Sequence, residues 1–362
     1  MLVNTTLRLA KLREKLIEKK LNAFLISSFS NRFYLTGWLG DSESGYLLIT
    51  PKKAFLITDS RYTEEAVQQS VGLELREYGL DEQFWPRLFQ EALVERVGFE
   101  AGDLSVLSLQ KLKKAASSVK FVPYENVVEK LRAQKDDQEI QLIKKAIAIA
   151  DKSFEFVLNN IRVGMTEKEI AWEMEKFMRE SGASKNAWEA FIVASGPSSS
   201  MVHYAAGDRK IKSGDQVLLD WGCYYQGYCC DISRVIFLGQ PSSKQAKVYN
   251  LVLEAQKKAI EKIKINYKTK LVDLAAREFL QTQTKFTFGH AVGHGVGIDV
   301  HELPRINNKT KDKFQKNNIV TVEPGIYEPG WGGVRLEDMI LVQEESAVLT
   351  KSPKKIEEIA IR

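Results

Sequence analysis

The chain has 362 residues, a length that favours two domains over a single hydrophobic core. Its 44% hydrophobic content, 27% charged content and net charge of +5 describe an ordinary globular protein. Basic residues alternate with acidic ones, which argues against nucleic-acid binding. The charged N-terminus lacks the apolar core of a signal peptide, and no apolar run approaches the roughly 18 residues that span a membrane. We therefore expect a cytoplasmic protein.

The cysteines point in the same direction. Cys223, Cys229 and Cys230 are odd in number and lie within one short stretch. This pattern argues against a disulfide framework and favours reduced thiols that pack as small side chains. Zinc binding through thiolates is also disfavoured, because the stretch has no C-x2-C pair.

The first part of the chain alternates helix and strand patterns. Apolar spacing predicts helices over 5–20, 62–69, 82–94 and 108–117, and strands over 23–27, 45–50, 54–59, 72–78, 97–100 and 119–122. This alternation predicts an α/β domain with a layered sheet. Periodicity is weak between 125 and 135, so we predict a domain boundary there, with domains over 1–125 and 126–362.

The second part begins with two helices and continues with strands, and this order then repeats. An apolar stripe predicts a helix over 137–159, and the capping-box pair Thr166 and Glu169 predicts the start of another. Strands over 189–238 precede two further helices and a second set of strands. The repeat indicates an α+β domain that contains an internal structural duplication. The further helices are predicted over 243–264 and near 270–281.

Histidine provides the sharpest indication of chemistry. The chain has four histidines, and three of them lie within the segment GHAVGHGVGIDVH at 289–301. The glycines of this segment disfavour a helix, so the H-E-x-x-H type of zinc site is not expected. An extended chain that approaches a ligand closely is the better interpretation. The four histidines are His203, His290, His294 and His301.

Two aspartates are placed to face each other. Asp220 ends the apolar run QVLLD, and Asp231 lies in the following strand pattern YCCDISRVIFL. Gly222 and Gly227 between them suit a hairpin turn. We therefore predict that the two carboxylates lie across neighbouring strands.

Two glutamates complete the carboxylate set. Glu323 ends the strand pattern IVTVE, and Glu337 is flanked by apolar residues in GGVRLEDMILV. A buried carboxylate without a partner costs several kcal/mol, so Glu337 requires a counter-charge. The alternative to a metal ion is an ion pair between Glu337 and Arg335.

Charge counting favours two metal ions. Four carboxylates and one neutral imidazole carry a charge of −4, which two divalent cations balance. Oxygen-rich ligands with one histidine suit Mn²⁺ or Co²⁺ better than a thiolate-type zinc site. Two such ions lower the pKa of a shared water and polarise a carbonyl, which is the chemistry of hydrolysis.

These motifs resemble those of the pita-bread metallopeptidases. The family pattern, two aspartates, a glycine-flanked histidine and two glutamates, corresponds to LLDWGCYYQGYCCDISR, HAVGHGVGIDVHELP, VTVEPGIY and GGVRLED. The family fold has two αα-ββ halves related by a pseudo-twofold axis. RFYLTGWLG, FLITDSRYTEEA and LRAQKDDQEIQLIKKAIAIAD resemble the N-terminal domain and connecting segment of aminopeptidase P and prolidase. The resemblance thus covers nearly the whole chain.

The resemblance implies a role for each matching metal ligand. Asp220 would bind one ion, and His294 with Glu323 would bind the other. Asp231 and Glu337 would bridge both ions. Glu323 would also accept the proton of the bridging water. The ions implied are two Mn²⁺, with Co²⁺ or Zn²⁺ as alternatives.

The remaining roles concern substrate and support. His203 and His301 would hydrogen-bond the scissile carbonyl and the tetrahedral intermediate. His290 would line the proline side of the cleft, and Tyr327 and Arg335 would support the metal ligands. This chain departs from relatives at Val202-His203-Tyr204, where they often have Pro-His-Gly.

Among the enzymes of this family, the sequence favours a Xaa-Pro aminopeptidase, because TDSRY and GASKNAWEAFIVASG look nearer to bacterial aminopeptidase P. Prolidase, a Xaa-Pro dipeptidase, is the alternative, although no motif names a cation for the dipeptide carboxylate. A pita-bread protein that binds partners without catalysis is a remote alternative. The resemblance further implies a homodimer or larger homo-oligomer and substrates with proline at the second position.

Overall fold

The structure is a computed structural model that describes residues 4–41, 43–70, 72–79 and 81–361. The chain divides into two compact units, Met1–Arg132 and Ala133–Arg362. None of the described helices is long and apolar enough to cross a membrane.

The first unit is a mixed six-stranded sheet with helices. The sheet has the strand order β4-β3-β2-β1-β5-β6, in which β1 pairs antiparallel with β2 and parallel with β5. Its elements are α1 Thr5–Glu18, β1 Ala23–Ile26, α2 Phe29–Thr36, β2 Tyr46–Ile49, β3 Ala54–Thr58, α3 Thr63–Gln69, β4 Glu74–Glu77, α4 Phe84–Glu91, β5 Arg96–Glu100, α5 Val106–Ala115, β6 Lys120–Tyr124 and α6 Val127–Ala133.

This unit confirms the predicted α/β architecture and adds two helices. Helix α2 begins after Ser28, whose side chain caps the amide of Asn31, and ends at Gly37 in the left-handed conformation. Helix α6 occupies much of the weakly periodic segment 125–135 and ends where the two units divide. Both helices are short, with seven or eight residues, so tertiary packing rather than a long apolar stripe stabilises them.

The second unit contains two successive sets of helices and strands. Its first set is α7 Asp137–Asn160, α8 Glu167–Glu180, β7 Lys185–Asn186, β8 Ile192–Ser195, β9 Gln216–Trp221, β10 Cys223–Tyr225, β11 Tyr228–Cys229 and β12 Ile232–Leu238. Its second set is α9 Ser243–Ile260, α10 Lys270–Gln283, β13 Gly293–Gly295, β14 Glu302–Ile306, β15 Ile319–Val322, β16 Gly325–Glu328, β17 Gly332–Arg335, β18 Asp338–Leu341, β19 Ala347–Val348, α11 Ile356–Ile359 and β20 Ala360–Ile361. This repeat of helix pair and strands confirms the predicted duplication.

Two sheets of this unit carry the predicted metal ligands or the residues next to them. One has the order β20-β12-β9-β8 and the other has the order β14-β13-β15-β18-β19. The first is packed against α7, where Trp221 is fully buried, stacks on Phe154 at 5.3 Å and donates its indole N–H to the Ala150 carbonyl. Trp221 is thus a core residue. The three cysteines are free and buried.

Candidate metal centre

Two antiparallel strands bring the aspartates together. Asp220 on β9 lies opposite Ser233 on β12, and Asp231 directly precedes β12. Side chains two residues apart on a strand share a face, so Asp231 and Ser233 both face the side of Asp220. The chain reverses at Gln226 and Gly227, whose φ angles of 49° and 85° suit a tight hairpin turn. The predicted hairpin is therefore confirmed.

His294 lies on the short strand β13, between β14 and β15. A Cβ atom at Gly293 would lie 2.1 Å from the Thr321 carbonyl oxygen, and one at Gly295 would lie 2.1 Å from that of Leu303. Only glycine permits such close strand approach. The glycines thus keep the chain around His294 extended, as the sequence predicts.

The glutamates lie at the ends of neighbouring strands. Glu323 follows β15 and Glu337 precedes β18, and Val322 pairs with Asp338 across these antiparallel strands. Continuing this register by one residue brings Glu323 and Glu337 side by side. Two strand pairs from the two sheets therefore supply the four carboxylates.

The structure brings the five predicted ligands together. The Nε2 atom of His294 lies 3.4 Å from Glu323 Oε1 and 3.7 Å from Asp231 Oδ2. The potential ligand atoms form three groups, and within each group the atoms lie within 4.8 Å of one another. The groups share residues. These groups are Asp220 with Asp231 and Glu337; His294 with Glu323 and Glu337; and Asp231 with His294 and His301.

The chemistry of these donors fits metal ions. Asp220 Oδ1, Asp231 Oδ1 and Glu337 Oε1 are buried and have no hydrogen-bond partner among the described residues. Unsatisfied buried carboxylate oxygens are rare because each retains a large desolvation penalty. Divalent cations would satisfy all three oxygens and offset the charge of the cluster.

Burial and mutual repulsion shift the pKa values of the four clustered carboxylates, Asp220, Asp231, Glu323 and Glu337. Burial and the neighbouring carboxylates raise the pKa of Asp231 and that of Glu337 well above their ordinary values. Burial also raises the pKa of Asp220, against the opposing effect of Arg335. Burial alone would raise the pKa of Glu323, but a hydrogen bond with His294 and the charge of that ring lower it. Glu323 is therefore the carboxylate that most readily stays ionised.

Arg335 forms hydrogen bonds with a candidate ligand and with two residues beside the ligand set. Its guanidinium donates to Asp220 Oδ2 at 2.5 Å, to the Tyr327 hydroxyl at 2.9 Å and to Ser233 Oγ at 3.0 Å. Ser233 Oγ in turn donates to Glu337 Oε2 at 2.9 Å. The alternative in which Arg335 pairs with Glu337 is thus wrong, because β17 directs the guanidinium toward Asp220. Sequence reasoning missed Ser233, although its spacing of two from Asp231 indicates the same face.

Hydrogen bonds fix the tautomers of two histidines. His294 Nδ1 lies 3.1 Å from the Gly295 carbonyl oxygen and His290 Nδ1 lies 2.7 Å from that of Ala291. A carbonyl oxygen only accepts, so each Nδ1 carries the proton. When His294 is neutral, its Nε2 therefore carries the lone pair that a metal ligand needs, whereas the protonated ring is the form that lowers the pKa of Glu323. His290 Nε2 accepts from the Tyr327 hydroxyl at 3.1 Å.

A cavity of about 720 Å³ opens onto the cluster. All four histidines line it, and the rings of His294 and His301 are 4.2 Å apart between centroids. His203 is exposed on the segment that follows β8. The cavity wall also includes Trp188, Ile192, Val202, Tyr204, Val300, Arg305 and Asn307.

Arg305 is a cavity residue that sequence reasoning missed. It lies directly opposite His294 in the pairing of β13 with β14, so both side chains share a face. No ion pair or side-chain hydrogen bond involves its guanidinium among the residues that the structure describes. No local motif marks this arginine, because only the strand register brings it to the cluster.

Comparison with known proteins agrees with this geometry. Residues 141–344 match the metallopeptidase family M24, and residues 8–134 match the creatinase/prolidase N-terminal domain. An uncharacterized peptidase of Bacillus subtilis is 37% identical over 353 residues, which cover 97% of this chain and 99% of that protein.

Solved structures give the same result. A Xaa-Pro dipeptidase from Bacillus anthracis is 39% identical with a TM-score of 0.93, over 98% of this chain and 99% of that one. An X-Pro aminopeptidase from Thermotoga maritima is 36% identical with a TM-score of 0.87, over 95% and 98%. This chain is a peptidase of the pita-bread metallopeptidase family M24, with a creatinase/prolidase-type N-terminal domain.

Proposed function

We propose that this peptidase hydrolyses the peptide bond between a first residue and proline, with two divalent metal ions, and that dipeptides are its preferred substrates. The observation that supports the metal-dependent reaction is the set of three buried carboxylate oxygens without partners in a cavity lined by four histidines. Relatives named Xaa-Pro dipeptidase and X-Pro aminopeptidase support the choice of bond.

The ligand roles follow the predicted set. Asp220 would hold one ion, and His294 with Glu323 would hold the other. Asp231 and Glu337 would be shared by both ions, since each belongs to two of the overlapping groups of donors and each has a buried oxygen without a partner among the described residues. When bound, the ions would supply a water of lowered pKa and a positive charge that polarises the scissile carbonyl.

The protein groups around the ligands would handle protons and position the substrate. Glu323, which lies in one group of donors with His294 and Glu337, would accept the proton of the attacking water. Desolvation in the cavity and the neighbouring His294 lower the pKa of His301, so this ring is neutral at neutral pH and can donate one N–H. His203 and His301 would donate to the scissile carbonyl and to the charge that develops on it. His290 would contact the proline side.

Arg305 supports the preference for dipeptides. In a Xaa-Pro dipeptide the terminal carboxylate is only three bonds from the scissile carbonyl carbon. A cation beside His294 can therefore bind this carboxylate while the carbonyl lies at the metal cluster. The guanidinium has no protein partner in the described structure that would compete for this role.

The Xaa-Pro aminopeptidase that the sequence favours is the second candidate. The similarity to the Thermotoga maritima X-Pro aminopeptidase favours it, as does a cavity of about 720 Å³ that leaves space beyond a dipeptide. In this case the chain beyond proline would occupy the space next to Arg305. The two candidates share the same metal chemistry and differ only in the need for a terminal carboxylate.

The test compares three substrates with the same first residue: a Xaa-Pro dipeptide, its C-terminal amide and a Xaa-Pro-Ala tripeptide. Protein stripped by a chelator is assayed after loading with Mn²⁺, Co²⁺ or Zn²⁺. We expect kcat/KM to fall about 10–100-fold from the dipeptide to the amide, because one charge-assisted bidentate contact is lost. Arg305→Ala should cause the same loss on the dipeptide and no loss on the amide.

Lys313→Ala is the matched control, since Lys313 is an exposed cation on the segment that follows β14. It should leave all three rates unchanged. Equal rates on all three substrates, together with a silent Arg305→Ala, would identify the aminopeptidase instead. Absence of cleavage with every metal would refute the proposed reaction as a whole.

We further propose Mn²⁺ as the metal in the cell, a homodimer as the assembly and the cytoplasm as the location. The ligand set of four carboxylates and one histidine supports Mn²⁺. Light scattering on the purified protein tests the assembly, and a monomer mass would contradict it.

A further inference from the structure

Glu167 is a buried carboxylate that lies outside the set of candidate metal ligands. Glu167 is the first residue of α8 and is fully buried. Its Oε1 accepts from the Ser195 amide at 2.8 Å and from the Ser195 hydroxyl at 2.6 Å. Its Oε2 accepts from the Tyr204 hydroxyl at 2.8 Å and from the Gly207 amide at 3.2 Å. Unlike the cluster carboxylates, it has donors on both oxygens.

These donors enclose one segment of the chain. Ser195 ends β8, and Gly207 lies twelve residues later, so Glu167 ties both ends of 195–207 to the start of α8. Tyr204 adds a third attachment inside the segment. The same segment contributes Val202, His203, Tyr204 and Ala205 to the wall of the cavity.

His203 itself has no side-chain hydrogen bond within the described structure. Its imidazole position therefore depends on how the backbone beside it is held. The next residue, Tyr204, is the nearest attachment point, and its hydroxyl bond to Glu167 fixes the backbone from that side. On the other side, Arg335 Nη1 approaches the Val202 carbonyl oxygen at 3.4 Å.

A cation lies beside this network without pairing directly with Glu167 in the described structure. Arg209 donates to the Ser195 hydroxyl and forms an ion pair with Asp215 at 2.6 Å. A buried carboxylate with several donors makes strong charge-assisted hydrogen bonds, which hold their partners firmly. Among the described residues, none of the Glu167 hydrogen bonds involves a side chain of the candidate metal ligands, so we expect any effect on catalysis to pass through the segment.

We propose that Glu167 is a positioning residue that holds His203 in register with the scissile carbonyl, acting through Tyr204 and Gly207. This inference rests on the proposed function, since it assumes that His203 contacts the substrate. A donor that must reach a reacting carbonyl tolerates little displacement, and an error of about 1 Å can cost up to about 100-fold in rate. Loss of the Tyr204 attachment should therefore impair turnover without affecting metal binding.

The experiment uses Tyr204→Phe, which removes one hydroxyl and keeps the ring, alone and combined with His203→Ala. We expect Tyr204→Phe to lower kcat/KM about 10-fold in the otherwise unchanged enzyme. In the His203→Ala background the same change should have less than about a 2-fold effect, because the group that it positions is absent. Mn²⁺ stoichiometry and affinity, measured by calorimetry, should be unchanged in both.

The matched control is Tyr249→Phe. The Tyr249 hydroxyl also makes one partly buried hydrogen bond, to the Lys354 carbonyl at 2.8 Å, and does not line the cavity. It should lower thermal stability as Tyr204→Phe does, yet leave kcat/KM unchanged in both backgrounds. Equal losses from Tyr204→Phe with and without His203, or a matching loss from Tyr249→Phe, would overturn the inference.

A second measurement separates this inference from the proposed function. Amide hydrogen exchange of the 195–207 segment in metal-free protein should be faster in Glu167→Gln than in wild type, because the carboxylate attachments weaken. Unchanged exchange would overturn the inference whatever the activity. A wild-type protein that cleaves no Xaa-Pro peptide would refute the proposed function, and the exchange result would still decide whether Glu167 holds the segment.

Discussion

Glu100 of the first unit and the candidate metal ligands of the second unit are buried carboxylates with opposite hydrogen-bonding environments. In the first unit, Glu100 Oε2 accepts from the Ser27 and Ser28 amides at 2.7 and 2.8 Å, and Oε1 accepts from Asn31 Nδ2. Asn31 is itself held by Arg132 at 2.8 Å. Both oxygens of Glu100 are therefore satisfied by protein donors.

The candidate metal ligands of the second unit lack such a full set of protein donors. One oxygen each of Asp220, Asp231 and Glu337 is buried without a donor in the described structure. The side-chain oxygens of Asp231 accept no hydrogen bond from any donor that the structure describes, and their nearest cationic contact is His294 at 3.7 Å. The comparison teaches that burial alone does not identify a functional acid. The distinguishing feature is a set of lone pairs left for a ligand.

The largest expected effect tests that distinction directly. Asp231→Ala should abolish turnover and the binding of at least one metal ion, because both ions lose a shared counter-charge. The loss in kcat should exceed the roughly 100- to 1,000-fold that removal of a single oxyanion donor costs. Calorimetric titration with Mn²⁺ and a steady-state assay measure both quantities. Two full equivalents of Mn²⁺ with near-normal turnover would contradict the dinuclear arrangement.

A smaller effect is expected at the supporting arginine. Arg335→Lys keeps the charge but cannot donate to Asp220, Tyr327 and Ser233 together. We expect Mn²⁺ affinity to fall about 10–100-fold, as for other residues that orient metal ligands. Arg179→Lys, which alters an exposed pair with Glu175, is the control and should have no effect. An unchanged affinity would mean that Arg335 does not orient the ligands.

The smallest expected effect concerns stability, and its sign separates the two units. In Glu100→Gln, the new side-chain NH₂ group would face protein N–H donors that now bind the carboxylate. This substitution should destabilise the protein by about 1–3 kcal/mol. Asp231→Asn should instead leave the metal-free protein as stable or more stable at pH 7. Folding raises the pKa of Asp231 above its value in the unfolded chain. The metal-free protein therefore loses stability as the pH rises from the unfolded pKa through the folded pKa, because Asp231 must ionise in the buried site.

Thermal unfolding in the presence of a chelator measures both changes in stability. The stability of metal-free Asp231→Asn relative to wild type should increase as the pH rises. Glu125→Gln and Asp208→Asn are exposed controls in the respective units. If Asp231→Asn destabilised the metal-free protein as much as Glu100→Gln, the two sites would not differ as the hydrogen bonds indicate.

Much of the fold follows from local patterns. The apolar stripe of α7, the capping box of α8 and the glycines beside His294 act over a few residues, so their effect is readable in the sequence. Helices α2 and α6 were not predicted, because each has at most eight residues and depends on contacts distant in the chain.

In the candidate site, too, some features are predictable from local sequence and others depend on tertiary contacts. The sequence by itself predicted the types of the candidate ligands, their order and the charge of −4, because Asp220 and Glu323 end apolar strand patterns and Asp231 and Glu337 lie within such patterns. Only the tertiary structure decided that Arg335 serves Asp220 rather than Glu337, that Arg305 lies beside His294, and that Glu167 holds the segment of His203. These contacts join residues that are 115, 11 and 37 positions apart in the sequence. Register and packing are properties of the folded chain, and no local pattern encodes them.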